Sequence, residues 1–162
     1  MILSIGGTVF AYREPSSGKD WKIGIRDPYS DSASHFAVLR LGPKAPKNAV
    51  FVSTSGSYEK TFTENGKAYH HILDPKTGYP VENELISVTV VASSGLNADA
   101  LSTFFFINGF NAATLSYLDI FDCDAVFVFK DKTYYVTEGL RASVTDVAEG
   151  YTPTDKTIDN EK

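Results

Sequence analysis

Cysteine is nearly missing from this chain. Cys123 stands alone among 162 residues, so no internal disulfide can form and composition leaves the redox compartment open. It precedes the apolar run Ala125-Val126-Phe127-Val128-Phe129 and is expected to be a buried, inert thiol, because a reactive one needs a basic neighbour. Long hydrophobic runs are also lacking. The longest, from Leu101 to Phe110, is half of the roughly 20 residues needed to span a bilayer, and Ser102, Thr103, Asn108 and Gly109 interrupt it. Positive charge is in deficit: 15 Lys and Arg against 20 Asp and Glu leave a net charge of -5. That balance gives no general attraction to nucleic acid or to an anionic membrane surface, so a phosphate-bearing ligand would need particular cations, backbone amides or a metal ion. The start, Met1 to Gly7, is too short and lacks the basic residues of a signal peptide. The expectation is a soluble segment, joined to a membrane only by a tether outside it. No internal repeat or interdomain linker is visible.

What remains is enough for one domain with a real core. Residues 8–12 read as a short strand, and apolar and polar residues alternate at period two over residues 21–26, a pattern taken up again over 35–41 and 49–53, which predicts further short strands. Asp27-Pro28 stops the second of these, and residues 42–48, rich in Pro and Lys, connect the last two. Residues 58–63 and 67–73 flank Glu64-Asn65-Gly66, and Asn-Gly is the strongest short hairpin signal. Residues 84–91 read as a buried strand. A helix is expected from an Asn97 cap, with Asp99 in its first turn, to about Asn108, and a second over about 112–118. Residues 124–129 and 133–137 form a further hairpin around Asp131-Lys132. The fold class is therefore α+β, with hairpins of a mixed or antiparallel sheet and a helical pair. The domain covers residues 1–150, and residues 151–162 form a frayed polar tail.

Three segments can carry chemistry. In Tyr69-His70-His71-Ile72-Leu73-Asp74-Pro75-Lys76-Thr77-Gly78-Tyr79-Pro80, groups that move protons or bind metal and phosphate sit at a rigid corner. The two histidines alternate in direction on a strand, so at most one faces a site. In Ala98-Asp99-Ala100-Leu101-Ser102-Thr103, Asp99 and Thr103 share a helix face at i, i+4 and are hard oxygen ligands suited to Mg²⁺. The same residues also read as a carboxylate favoured by the helix dipole and a back-bonded hydroxyl. Thr54-Ser55-Gly56-Ser57-Tyr58 is a small-residue corner whose amides could approach a ligand closely.

Taken in order, these segments resemble the ApbE family of flavin transferases (FAD:protein FMN transferases). The likeness rests on Gly6-Gly7, on Trp21-Lys22-Ile23-Gly24-Ile25-Arg26-Asp27-Pro28, on Ser53-Thr54-Ser55-Gly56-Ser57-Tyr58, on the block from His71 to Pro80, and on Ala98 to Thr103. It runs from about Leu3 to about Gly139 and matches only the C-terminal half or so of a usual member. The resemblance thus implies a T-fold-like flavin transferase domain truncated at its N-terminus. Missing with that half is a lysine-glycine segment that helps enclose the flavin and supplies a carbonyl to the metal. Thr8 stands where the family usually has Asn, and Lys60 where Arg is common, which keeps the charge and loses the bidentate fork.

The resemblance implies Mg²⁺-dependent transfer of FMN from FAD to a Thr or Ser of a target protein. Asp99 and Thr103 match the family's metal positions, and His71 is the general base. Asp74 either orients that imidazole or joins the metal shell, and Gly6, Gly7, Ser55 and Gly56 let backbone approach the flavin nucleotide. His70 is structural. The partners implied are FAD and an acceptor protein bearing a D-x-x-[ST]-G-[AS]-[ST] motif. Asp74-Pro75-Lys76-Thr77-Gly78 imitates the first half of that motif, but Tyr79-Pro80 breaks it, so Thr77 is expected to be a turn residue and not an acceptor. Family members commonly act outside the cytoplasm or anchored to a membrane. An apolar face left by the missing half would favour a homo-oligomer. The alternatives are a non-catalytic flavin-binding module and an interaction domain derived from the family.

Overall fold

In the computed structural model the described residues are 1–30, 34–42 and 49–154. The strands are β1 (Ile2–Ile5), β2 (Thr8–Tyr12), β3 (Trp21–Arg26), β4 (His35–Leu41), β5 (Ala49–Gly56), β6 (Phe62–Glu64), β7 (Lys67–Tyr69), β8 (Leu85–Ala92), β9 (Cys123–Phe129), β10 (Thr133–Val136), β11 (Val144–Thr145) and β12 (Thr152–Pro153), with helices α1 (Gly95–Asn108) and α2 (Ala112–Ile120). A seven-stranded sheet runs β1-β2-β5-β8-β9-β10-β12, a three-stranded sheet runs β11-β4-β3, and β6 and β7 form a separate hairpin. The large sheet is mixed, because β12 pairs parallel to β10 while β9 pairs antiparallel to it.

Side-chain alternation splits the core between the two faces of the large sheet. On β9, Ala125, Phe127 and Phe129 pack with Phe105, Phe106 and Leu115 of the helices. Val126 and Val128 point the other way, toward Ile25, Phe36 and Leu39 of the small sheet. Both faces of the centre are thus covered, and all eight residues of β8 are buried. Among the described residues, no helix is long and apolar enough to cross a membrane.

Several sequence expectations are corrected by the fold. The β6–β7 hairpin does turn at Asn65-Gly66, both at positive φ, but its second strand ends at Tyr69. His70 and His71 therefore lie in a corner rather than on a strand. α1 is capped by Ser94, whose side chain accepts from the Asn97 amide, and its first turn contains no acidic residue. Asp99 consequently falls beyond the first turn. Cys123 is half-buried, and burial together with Asp124 and Asp122 pushes its thiol up to about 11. The expected tail begins too early: Tyr151 is buried and donates to Asp27 Oδ1 at 2.6 Å, and residues 152–153 form β12. Most of the expected 42–48 connection and of the expected tail (residues 43–48 and 155–162) lies outside the described residues.

Candidate functional site

Helix α1 lies along β5 in matched steps. Gly95 meets Phe51, where a Cβ would fall 2.8 Å from the ring, so only glycine lets the helix settle this close. One helical turn on, Asp99 Oδ1 accepts from Ser53 Oγ at 3.2 Å. One further turn brings Thr103 Oγ1 within 2.9 Å of Ser55 Oγ. Four helical residues rise about 6.0 Å and two strand residues about 6.6 Å, so i, i+4 on α1 stays level with j, j+2 on β5. Asp99 is exposed, whereas Ser53 and Ser102 are 2% and 0% exposed. The strand face that starts with Phe51 thus turns polar where it meets the helix carboxylate.

The β1–β2 turn adds the next layer. Ile5 pairs with Thr8, which leaves a two-residue loop of Gly6 and Gly7 with φ of 55° and 90°. Two positive φ values define the hairpin turn that glycine adopts without strain. The turn places Thr8 Oγ1 2.9 Å from Ser53 Oγ, and the Gly7 carbonyl accepts from the Thr54 amide at 3.4 Å. Gly6 and Gly7 are exposed, while Gly56 is buried. A Cβ on Gly56 would meet the Tyr58 ring at 2.5 Å, so packing of Tyr58 accounts for glycine there.

The histidine corner is held by its own backbone. His70 Nε2 lies 3.1 Å from the Val81 carbonyl and its Nδ1 accepts from the Ile72 amide at 3.3 Å, so both nitrogens are spent on structure. His71 is exposed, with Nδ1 3.1 Å from the Glu59 carbonyl. A carbonyl only accepts, so in the neutral ring Nδ1 carries the proton and Nε2 keeps a free lone pair. Asp74 Oδ1 accepts from the Lys76 amide at 2.8 Å, and the Asp74 carbonyl accepts from the Gly78 amide at 2.8 Å. Residues 74–78 are a self-bonded Asx turn. Of the two roles left open for Asp74, orienting the imidazole is not what the structure shows, since Glu59 holds His71. Thr77 Oγ1 accepts from the Tyr79 amide at 3.3 Å, as a turn residue does. Behind this corner a cleft of about 1160 Å³ opens between His70, Asp74 and Tyr79 on one side and Phe106, Asn108 and Lys130 on the other.

Asp99, Thr103, Ser55 and the Gly6-Gly7 turn therefore gather around one strand. His71 and Asp74 form a second group, and no hydrogen bond among the described residues joins the two. Sequence reasoning gave no role to Ser53, Ser102 or Thr8. The available signal was the shift along β5 from the apolar stretch 49–52 to the hydroxyl run Ser53-Thr54-Ser55, which puts Ser53 and Ser55 on one face of the strand. Among the described residues, no three His, Cys, Asp or Glu side chains are placed to hold a metal ion. A cation here would have one carboxylate and neutral oxygens, which suits Mg²⁺ completed by water and substrate phosphates and does not suit zinc.

Fold and site together define an α+β domain with a carboxylate–hydroxyl cluster where its first helix meets the central sheet, and a separate imidazole corner. This chain belongs to the ApbE family, whose model matches residues 1–127. It is similar to the FAD:protein FMN transferase of Klebsiella pneumoniae, with 33% identity over 150 residues, covering 93% of this chain and 44% of the relative. The Treponema pallidum protein of the same name is 32% identical over 147 residues, covering 86% of this chain and 39% of that one. Among solved structures, the ApbE protein of Thermotoga maritima superposes with a TM-score of 0.74 at 29% identity, over 88% of this chain and 44% of that one. The chain thus spans less than half the length of these relatives.

Proposed function

We propose that this chain carries part of the site for Mg²⁺-dependent transfer of FMN from FAD to a Thr or Ser hydroxyl of an acceptor protein. The observation that carries the reading is the Asp99/Thr103 pair, set level on one helix face by Ser53 and Ser55 in a chain whose relatives are named FAD:protein FMN transferases. Asp99 and Thr103 would hold the cation, which when bound neutralises charge building on the pyrophosphate. In the transfer, the acceptor oxygen bonds to the FMN-side phosphorus, the bridging P–O bond breaks, and AMP leaves. His71 Nε2, with no hydrogen-bond partner among the described residues, takes the hydroxyl proton, a general-base role that imidazole commonly fills. The exposed Gly6-Gly7 turn and Ser55 are the surfaces offered to the flavin nucleotide. The acceptor would carry a D-x-x-[ST]-G-[AS]-[ST] motif, and the reaction would take place outside the cytoplasm or at a membrane.

Incubation of the chain with FAD, Mg²⁺ and a peptide bearing that motif tests this. Peptide flavinylation detected by mass is the expected result, and Asp99→Ala should reduce its rate by at least about a hundredfold. The chain itself should gain no FMN mass, because Thr77 is bound into its turn. A second reading is favoured by the separation of the His71 corner from the Asp99/Thr103 cluster, which no hydrogen bond among the described residues joins: a flavin-binding module without turnover. FAD binding with no peptide product would establish it, and absence of FAD binding would sink both readings.

A further inference from the structure

Two chains of hydroxyls run behind Asp99 and Thr103, and the groups at their ends allow each only one proton order. A hydroxyl has one proton to donate and two lone pairs. In the first chain the Asp99 carboxylate only accepts, so Ser53 gives its proton to Oδ1 at 3.2 Å. The Ser53 oxygen must then accept from Thr8 Oγ1 at 2.9 Å. The second chain ends on the backbone carbonyl of Asp99, which also only accepts, and Ser102 Oγ donates to it at 2.9 Å. With its proton spent, Ser102 accepts from Ser55 at 2.9 Å. Ser55 in turn accepts from Thr103 at 2.9 Å. The Thr103 proton therefore points into the protein, and its remaining lone pairs are left for an outside partner.

We propose that Ser53 and Ser102 are positioning residues that present Asp99 and Thr103 as lone-pair donors to a divalent cation. The inference rests on the reading of that pair as the Mg²⁺ site. Ser53 anchors one carboxylate oxygen of the exposed Asp99 and leaves the other without a hydrogen-bond partner among the described residues. Ser102 fixes the proton order: without it, Ser55 could donate to Thr103 and turn the Thr103 proton outward, toward the cation. Both serines are almost fully buried, so water does not replace their bonds. A packing role alone would cost stability and leave cation affinity as it was.

Mn²⁺ is the probe, titrated into the chain with and without FAD and followed by the EPR signal of the free ion against a chain-free control. The metal-free thermal midpoint of each variant is measured alongside. Ser53→Ala and Ser102→Ala should each weaken Mn²⁺ binding about tenfold, as loss of an outer partner of a metal ligand does. Ser53→Thr, which keeps the hydroxyl, should restore affinity, and Asp99→Asn should abolish it. If Asp99→Asn abolishes binding while both alanine variants stay within about twofold of the parent, the positioning role is overturned and the metal reading stands. A lowered midpoint with unchanged affinity overturns the positioning role in the same way. If the parent chain binds no Mn²⁺ in either condition, or Asp99→Asn binds like the parent, the metal reading fails and the proposal with it. Should Ser53→Thr not fold, the two alanine variants still decide.

Discussion

Ser87 is buried on β8, and its hydroxyl has no hydrogen-bond partner among the described residues. An unpaired buried donor costs about 1–3 kcal/mol, and alanine removes the group while leaving only a small void. Ser87→Ala should therefore stabilise the chain by about 1 kcal/mol, raising the calorimetric midpoint by about 2–4 °C for a domain of this size; a lowered midpoint would show that the hydroxyl is bonded in solution. The contrast with Ser53 shows what sequence can carry at this scale. Asp99 and Thr103 are paired by helix periodicity, which can be counted along the chain. Ser53 meets Asp99 across 46 residues and Ser55 meets Ser102 across 47, contacts set by packing of α1 on β5 and invisible to local spacing. The histidines differ for another reason. Their distinct roles follow from which carbonyl each ring faces, and those carbonyls, of Val81 and Glu59, lie 11 and 12 residues away.

At the level of elements, short strands set off by flanking turn residues were legible to the residue: β2, β3 and β4 begin and end where expected. The errors sit where local signals conflict. The cap expected at Asn97 falls too far along the chain: Gly95 lies inside the helix, where the Phe51 ring requires glycine, and Ser94 does the capping. β12 was hidden by the polar composition around it, and Tyr151 is what docks it. Its hydroxyl reaches Asp27 at 2.6 Å, its ring lies 5.0 Å from Phe36, and the Lys132 ammonium stands 5.8 Å from its centroid. Tyr151→Phe keeps the ring contacts and removes one hydrogen bond to a carboxylate, a loss of about 2 kcal/mol. A urea midpoint shifted to lower concentration with an unchanged slope is the expected result, and an unchanged midpoint would show that the bond adds nothing.

For the whole molecule, the acid groups held in protonated form set a common pH limit. Burial first, then Asp124 and Asp122, raises the Cys123 thiol from 9.0 to about 11. Burial first, then Glu59, raises Tyr58 from 10.0 to about 12, and burial followed by the Asp27 hydrogen bond raises Tyr151. Each folded-state pKa lies above its unfolded value, so between the two the folded chain binds more protons and stability falls as pH rises. Their contribution is fully present below about pH 8 and is lost upward from about pH 9 to 12. Urea midpoints at pH 8 and pH 10.5 should show the decline, and Cys123→Ser should lessen it; a flat profile would refute the protonated assignment. The matched steps of α1 and β5 have one more consequence, for how such a chain tolerates change in length. Inserting or deleting a single residue between Gly95 and Thr103 swings every later side chain by about 100° around the helix: before Asp99 it carries both oxygen donors away from Ser53 and Ser55, and after Asp99 it separates the donors from each other. The exposed turns at Gly66 and Lys132 impose no such arithmetic. Tolerated indels should collect in those turns, and the nine residues from Gly95 to Thr103 should vary by substitution only.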